Sequence, residues 1–349
     1  MEDKQILVQR LVVIDFLKGF SIFTIVVMHL LQYKLGIGLL DMALSFGGAG
    51  VHVFLLCSGF GLYLSHLKNK MSYPFFLRRR FFKVYLPYII VVLISLLVPF
   101  YWTSHDKVMC LCSHVFLFKM FSEQYESSLG IQMWFVSTII QFYLCWPLIA
   151  RLFEKLYDRS MKLPIIVGCF ISLIWTMIVI FFDKSELRIW NSFFLQYIWE
   201  FMLGMFLAKK YVENNKLFIP SLSKLTIVAV VCLGMTAFAG IKGGNFKMFN
   251  DAPSLFAYLS IALILYKLNF ANEVFKFTNQ FSYEWYLVHI LIFSCTAHLM
   301  SLLNLDNNIF LVLICEFIFS FLEFMYRRRN TNQEIDLLSS LRRPNKLRI

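Results

Sequence analysis

The stretch Ile14–His29, IDFLKGFSIFTIVVMH, decides the fold. It opens with Asp15 and Lys18, runs apolar for most of its length and ends on a histidine. Within the longer segment Leu11–Leu31 it is long enough to cross a bilayer as a helix. An imidazole or ammonium inside such a span is costly, faces a cavity or another helix, and is functional by default. Lys18 and His29 are eleven residues apart, about three turns and roughly 16 Å along a helix. Both therefore face the same side, Lys18 toward one leaflet and His29 toward the other. The structural alternative has Lys18 reaching headgroups and His29 bonding a neighbouring helix. Asp15 either meets the helix dipole or pairs with Lys18.

The pattern repeats along the chain. Of 349 residues, 59% are hydrophobic and 15% charged, against about half and about a quarter in soluble domains. About ten transmembrane helices are expected: Leu11–Leu31, Phe46–Leu64, Val84–Tyr101, Met133–Ala150, Leu163–Phe182, Trp190–Leu207, Leu225–Ile241, Ala252–Tyr266, Tyr283–Leu303 and Ile309–Tyr326. The fold class is thus an all-α, polytopic integral membrane protein. The short alternating strands of a membrane β-barrel are missing from the sequence pattern. The 39 phenylalanines suit helices facing lipid and its interfaces. The first apolar run is too long for a signal-peptide core, so no cleavage is expected. Residues 1–330 read as one membrane domain and 331–349 as a basic cytoplasmic tail.

Charge sets the orientation. A net charge of +12 would suggest nucleic acid in a soluble chain. Here the cations sit at helix ends, so no nucleic acid is expected. With both termini in the cytoplasm, 25 of the 33 Lys and Arg fall on inner segments and 7 on outer loops. That asymmetry is the positive-inside pattern.

Four of the inner cations crowd into Ser72–Pro87, SYPFFLRRRFFKVYLP: Arg78, Arg79, Arg80 and Lys83. Arg80 and Lys83 are one turn apart and can reach one phosphate group, Arg by paired donors and Lys as a point charge. Topology and attraction to anionic lipid explain the same cluster more simply. Gly47–Gly50 leads into a second span carrying His52 and Ser58-Gly59-Phe60. His52 lies at a depth similar to His29. Ser58 is not in a G-x-S-x-G elbow, so a hydrolase triad is unsupported. The outer loop Trp102–Gln132 holds His105, Asp106, His114, Glu123 and Glu126, and reads either as part of an acceptor site or as a solvated connector with an amphipathic turn at Val115–Phe121. Six of the eight cysteines fall in spans. Cys110 and Cys112 lack a metal-site spacing, and no metal is expected.

Several of these motifs, in order, resemble the acyltransferase 3 family of membrane-bound O-acyltransferases. Asp15, Lys18 and His29 resemble its acid, Arg and His in the first helix. Gly50-Val51-His52-Val53-Phe54 with Ser58-Gly59-Phe60 resembles its second helix, and Arg80–Lys83 before Pro87 its R-x-x-R. Trp134-Phe135 with Tyr143 and Pro147, Glu200-Phe201 with Gly204-Met205, and Ser282-Tyr283 with Tyr286-Leu287 and His289 resemble three later helices. Lys18 and Lys83 depart from the family's Arg, which keeps the charge and loses bidentate geometry. The likeness is to the stand-alone form without an extracellular hydrolase-like domain.

The resemblance implies acyl-CoA, usually acetyl-CoA, as a donor substrate, with no tightly bound cofactor. It implies a hydroxyl of a cell-surface glycan, exopolysaccharide or glycolipid as acceptor and a bacterial inner membrane as location. The expected catalytic residues are His29, Lys18 and Asp15. Arg78, Arg79, Arg80 and Lys83 are expected on the CoA phosphates, and His52, Trp134 and His289 on the acceptor. Self-association into a homo-oligomer is compatible with the chain. A transporter or flippase of a glycan precursor, or a structural subunit of an envelope complex, fits the spans and intramembrane charges as well.

Overall fold

A backbone in hydrocarbon must satisfy its own N–H and C=O groups, which favours helices throughout. The computed structural model describes residues 11–32, 38–98, 106–305, 311–318 and 320, and these form helices and turns with no strand among them. Six helical stretches are long and apolar enough to span a membrane: Val12–Leu31, Ala43–Lys68, Ile131–Arg159, Leu163–Phe181, Leu222–Lys242 and Asn272–Leu302. The other expected spans differ in kind. Val84–Tyr101 begins inside a helix interrupted at its start, and residues 99–101 lie outside the described set. Ile198–Asn214 and Asp251–Lys267 are regular but only 17 residues long. Only residues 311–318 and 320 of Ile309–Tyr326 are described. The tail 331–349 lies outside the described residues, as does His105.

The first helix, α1 (Val12–Leu31), is central. It packs on the long helices α3 (Gly50–Lys68) and α14 (Ser282–Leu302), and on the short α13 (Asn272–Thr278). The intervening α2 (Gly38–Ser45) feeds α3 through a 3-10 turn. Helices α7 (Trp134–Arg159) and α10 (Ile198–Asn214) complete the inner layer, where Phe16, Leu55, Phe142, Phe201 and Trp285 are fully buried. Helices α8 (Leu163–Phe181) and α11 (Leu222–Lys242) lie outside it and expose Phe170, Phe181, Ile227 and Val230. A continuous apolar exterior of this kind belongs in lipid, and the protein is a multi-pass membrane protein.

Helices α3 and α10 approach closely because both are notched. A Cβ on Gly59 would lie 2.1 Å from the Phe201 carbonyl oxygen, and one on Gly204 would lie 2.0 Å from that of Leu56. Small residues at facing positions are the usual means of close packing between membrane helices.

Polar contacts between segments far apart in the chain gather at both ends of the bundle. At the end bearing Arg78–Lys83, Asn279 donates to Asp15 (2.8 Å), His66 pairs with Glu154 (3.2 Å) and Tyr157 donates to Glu213 (2.9 Å). At the opposite end Lys184 faces Glu123 (4.0 Å), Lys247 pairs with Glu186 (2.9 Å) and Ser185 donates to Asn245 (2.7 Å).

The segment 106–133 is folded rather than a loose connector. Asp106 caps α6 (Lys107–Val115) by accepting from the Met109 N–H (2.9 Å). The His114 ring bridges the Tyr88 hydroxyl (2.7 Å) and Ser128 (3.0 Å). Lys119 is fully buried and donates to the carbonyls of Ser128 (3.0 Å) and Gly130 (3.4 Å).

Candidate active site

The basic stretch enters as α4 (Tyr73–Arg80), passes a π turn at Phe81–Tyr85 and continues as α5 (Leu86–Leu96). Pro87 supplies the reason. It has no N–H for the Lys83 carbonyl and its ring crowds that carbonyl, so the preceding turn widens. Such π bulges recur at functional sites. Here the bulge carries Lys83, and Tyr283 donates to the Val84 carbonyl beside it (2.7 Å). The four cations are thereby sorted. Arg80 and Lys83 line a cavity of about 460 Å³ with Lys18, Ser58, Tyr143 and Tyr283. Arg78 does not line that cavity; it edges an apolar groove with Leu77, Phe81 and Tyr85, which Arg80 also borders, and Arg79 lies 3.2 Å from the Met71 sulfur.

Aromatic rings fix Arg80. Its guanidinium lies 5.2 Å from the Phe76 ring centre and 5.3 Å from that of Tyr143. Its Nε is buried with no hydrogen-bond partner. Lys18 has no ion-pair partner among the described residues, while Asp15 accepts from Asn279. Among the described residues no carboxylate lies at salt-bridge distance from these three cations, although Glu284 lines the same cavity; the excess of positive charge suits a phosphate-bearing ligand.

Phe135 and Tyr286, whose rings are 5.6 Å apart, form part of the cavity wall. Tyr286 lies 6.0 Å from the His289 ring, and His289 stacks on His29 at 5.0 Å. His29 and His289 are hydrogen-bonded, Nδ1 to Nε2, at 2.9 Å. The direction follows from the next contact. His289 Nδ1 donates to the Trp285 carbonyl (3.0 Å), so its Nε2 must accept. His29 Nδ1 is then the donor, and its Nε2 holds a lone pair with no partner among the described residues. One nitrogen oriented by a buried neighbour and the other open is the geometry of a general base. The sequence singled out both histidines. It did not show that His289, 260 residues away, is the group that orients His29.

The remaining polar residues form a separate network. His52 bonds Glu200 (2.7 Å) and its other nitrogen lies 3.9 Å from Asp251. Gln196 donates to Asp251 (2.7 Å) and accepts from Thr176 (3.1 Å). Gln196 and Asp251 also line a second cavity, of about 260 Å³, with Tyr197, Arg188, Asn191 and Lys247. Arg188 lies 5.3 Å from the Trp134 ring. Trp134 and Phe135 therefore stand between the two cavities, each next to a different one. Arg188, Gln196 and Asp251 went unnoticed as site residues. Arg188 reads in sequence as one more loop cation, and only the shared face of three loops gives it a role.

The acyltransferase 3 family model, described as an acyltransferase domain, matches residues 11–322. Neither the curated proteins nor the solved structures show a match. The family match runs from the start of α1, through the basic π turn and both histidines, to beyond the end of α14, and the chain belongs to the acyltransferase 3 family.

Proposed function

We propose that the protein is a membrane O-acyltransferase that moves an acyl group, acetyl in the first instance, from cytosolic acyl-CoA to a hydroxyl of a cell-surface or exopolysaccharide glycan or glycolipid. The basic end faces the cytoplasm of a bacterial inner membrane. The observation that carries this reading is the continuity from Lys18, Arg80 and Lys83, along the 460 Å³ cavity, to the Phe135–Tyr286 wall beside the His289–His29 pair.

The chemistry follows from the geometry. Arg80 and Lys83 hold the donor's phosphates, and the thioester extends past Tyr286 toward His29. An acceptor hydroxyl enters from the opposite end, where Arg188 and Tyr197 line the second cavity and Trp134 packs against both. His29 Nε2 takes the hydroxyl proton as the oxygen attacks the thioester carbonyl. The new C–O bond forms, the C–S bond breaks, and the thiolate leaves toward the cations after receiving the proton from His29. His289 acts by holding the imidazole, and His52 by fixing the Glu200–Asp251 network next to the acceptor.

Purified His29→Ala, assayed for CoA release in the presence of acceptor-bearing membranes, should turn over about 10²- to 10⁴-fold more slowly, the usual contribution of a general base. Undiminished release from a folded variant rules out the catalytic role.

A further inference from the structure

A third cavity, of about 330 Å³, adjoins the first at the basic end. The two share Leu62 and Arg80. Their walls are successive lengths of the same two helices. Along α3, Ser58, Gly61 and Leu62 face the deeper cavity, and Leu62, Ser65, His66 and Asn69 face the shallower one. Along α7, Phe135, Ile139 and Tyr143 give way to Trp146, Ala150, Arg151 and Glu154. These are single helical stripes at spacings of three and four residues. The two cavities are therefore one groove, interrupted where Arg80 crosses it between Phe76 and Tyr143. From Phe135 to Glu154 the groove follows nineteen residues of α7, roughly 29 Å.

The shallow part has its own chemistry. Trp146 is buried, with Phe76 stacked on it at 6.1 Å and His66 edge-on at 5.7 Å. His66 and Glu154 form a polar pair at its side. Lys70 and Arg151 stand at the rim, exposed and without ion-pair partners among the described residues. An aromatic surface, hydrogen-bonding groups at its edge and two uncommitted cations suit a purine nucleotide carrying a phosphate. The buried, unpartnered Arg80 Nε at the junction suits a diphosphate passing from one part to the other.

We propose that this shallow cavity is a nucleotide subsite for the adenosine 3′-phosphate end of the donor, with Lys70 and Arg151 on the 3′-phosphate and Trp146 against the purine. The inference rests on the acyl-CoA reading and extends it: the deep cavity holds the pantetheine arm, Arg80 and Lys83 the diphosphate, and the shallow cavity the nucleoside. A free lipid headgroup offers the same anionic chemistry to Lys70 and Arg151, but it lacks the purine.

The test is titration of the purified full-length protein in neutral-lipid nanodiscs with CoA and with 3′-dephospho-CoA. CoA should bind about ten- to hundredfold more tightly, the range for a charge-assisted contact. The double variant Lys70→Ala/Arg151→Ala should lose that difference by weakening CoA alone. Equal affinity of the two ligands for the native protein, or equal weakening of both by the variant, overturns the subsite and leaves the donor assignment standing. Binding of neither ligand overturns both. Should the double variant fail to accumulate, Lys70→Ala alone reads out the same difference, since its side chain is exposed.

Discussion

At the scale of single residues, the hydrogen-bond order Trp285 carbonyl, His289, His29 fixes which nitrogen of His29 can accept a proton. Removing His289 leaves the base in place but free to rotate and to adopt the other tautomer. On the acyl-transfer reading, His289→Ala should lower kcat by about 10², the cost of misplacing a reacting group, with the donor KM little changed. His289→Gln offers an amide oxygen to His29 Nδ1 and should recover part of the loss. A residue that merely filled space would show no such difference between Ala and Gln, so steady-state kinetics of the two variants check the positioning role. His29 was legible because an imidazole stands out in an apolar run. Its partner's role was not, because nothing local couples positions 29 and 289. Asp15 shows the same limit: the sequence offered Lys18 or the helix dipole, and the structure keeps it in the first turn of α1 and adds a contact from Asn279 that the sequence did not suggest.

At the scale of elements, two devices shape the site. The π turn at Phe81–Tyr85 directs Arg80 and Lys83 into the cavity while Arg78 faces an apolar groove. Four adjacent cations look equivalent in the sequence, and Pro87 was legible only as a residue tolerated in a first helical turn. Its effect on the turn before it depends on backbone geometry. The second device is the glycine contact between α3 and α10, which carries His52 and Glu200 toward each other. Gly204→Ala would push a methyl group into the Leu56 carbonyl and should destabilise by about 1–3 kcal/mol, as overpacking does. Gly234→Ala on α11 meets nothing within 4 Å and should be neutral or gain up to about 1 kcal/mol from helix propensity. Thermal unfolding of the two variants in one detergent separates a packing requirement from a general effect of replacing glycine.

At the scale of the whole molecule, the folded segment 106–133 closes the end of the bundle opposite the basic stretch, tied down by Tyr88–His114 and by Lys119. Burial pushes the Lys119 ammonium from its ordinary range down to about 7, against the opposing pull of Cys110 and Glu126. Burial likewise holds His114 neutral, with its pKa near 2, and raises the Cys110 thiol. The sign for Lys119 is set by its lowered folded value. Between pH 7 and its ordinary 10.5 the unfolded chain binds the proton and the folded one does not, so stability rises with pH across that window. Resistance of this segment to limited proteolysis should accordingly increase from pH 7 to pH 9. Lys119→Met, which needs no proton to be lost on burial, should flatten the trend.

By itself the sequence determined that this is a helical membrane protein and which ionisable residues are out of place in lipid. Hydropathy and charge are one-dimensional, and a bilayer reads them nearly residue by residue. Among the described residues six spans meet the length and apolarity that the sequence led us to expect of about ten, because shorter helices and an interrupted one also occupy the bundle and part of Ile309–Tyr326 lies outside the described residues. Only the tertiary structure decided that His289 orients His29, that Arg80 and Lys83 but not Arg78 line the deep cavity, and that Arg188 stands beside Trp134. Those outcomes depend on contacts between helices far apart in the chain and on one widened turn, and neither leaves a local mark in the order of residues.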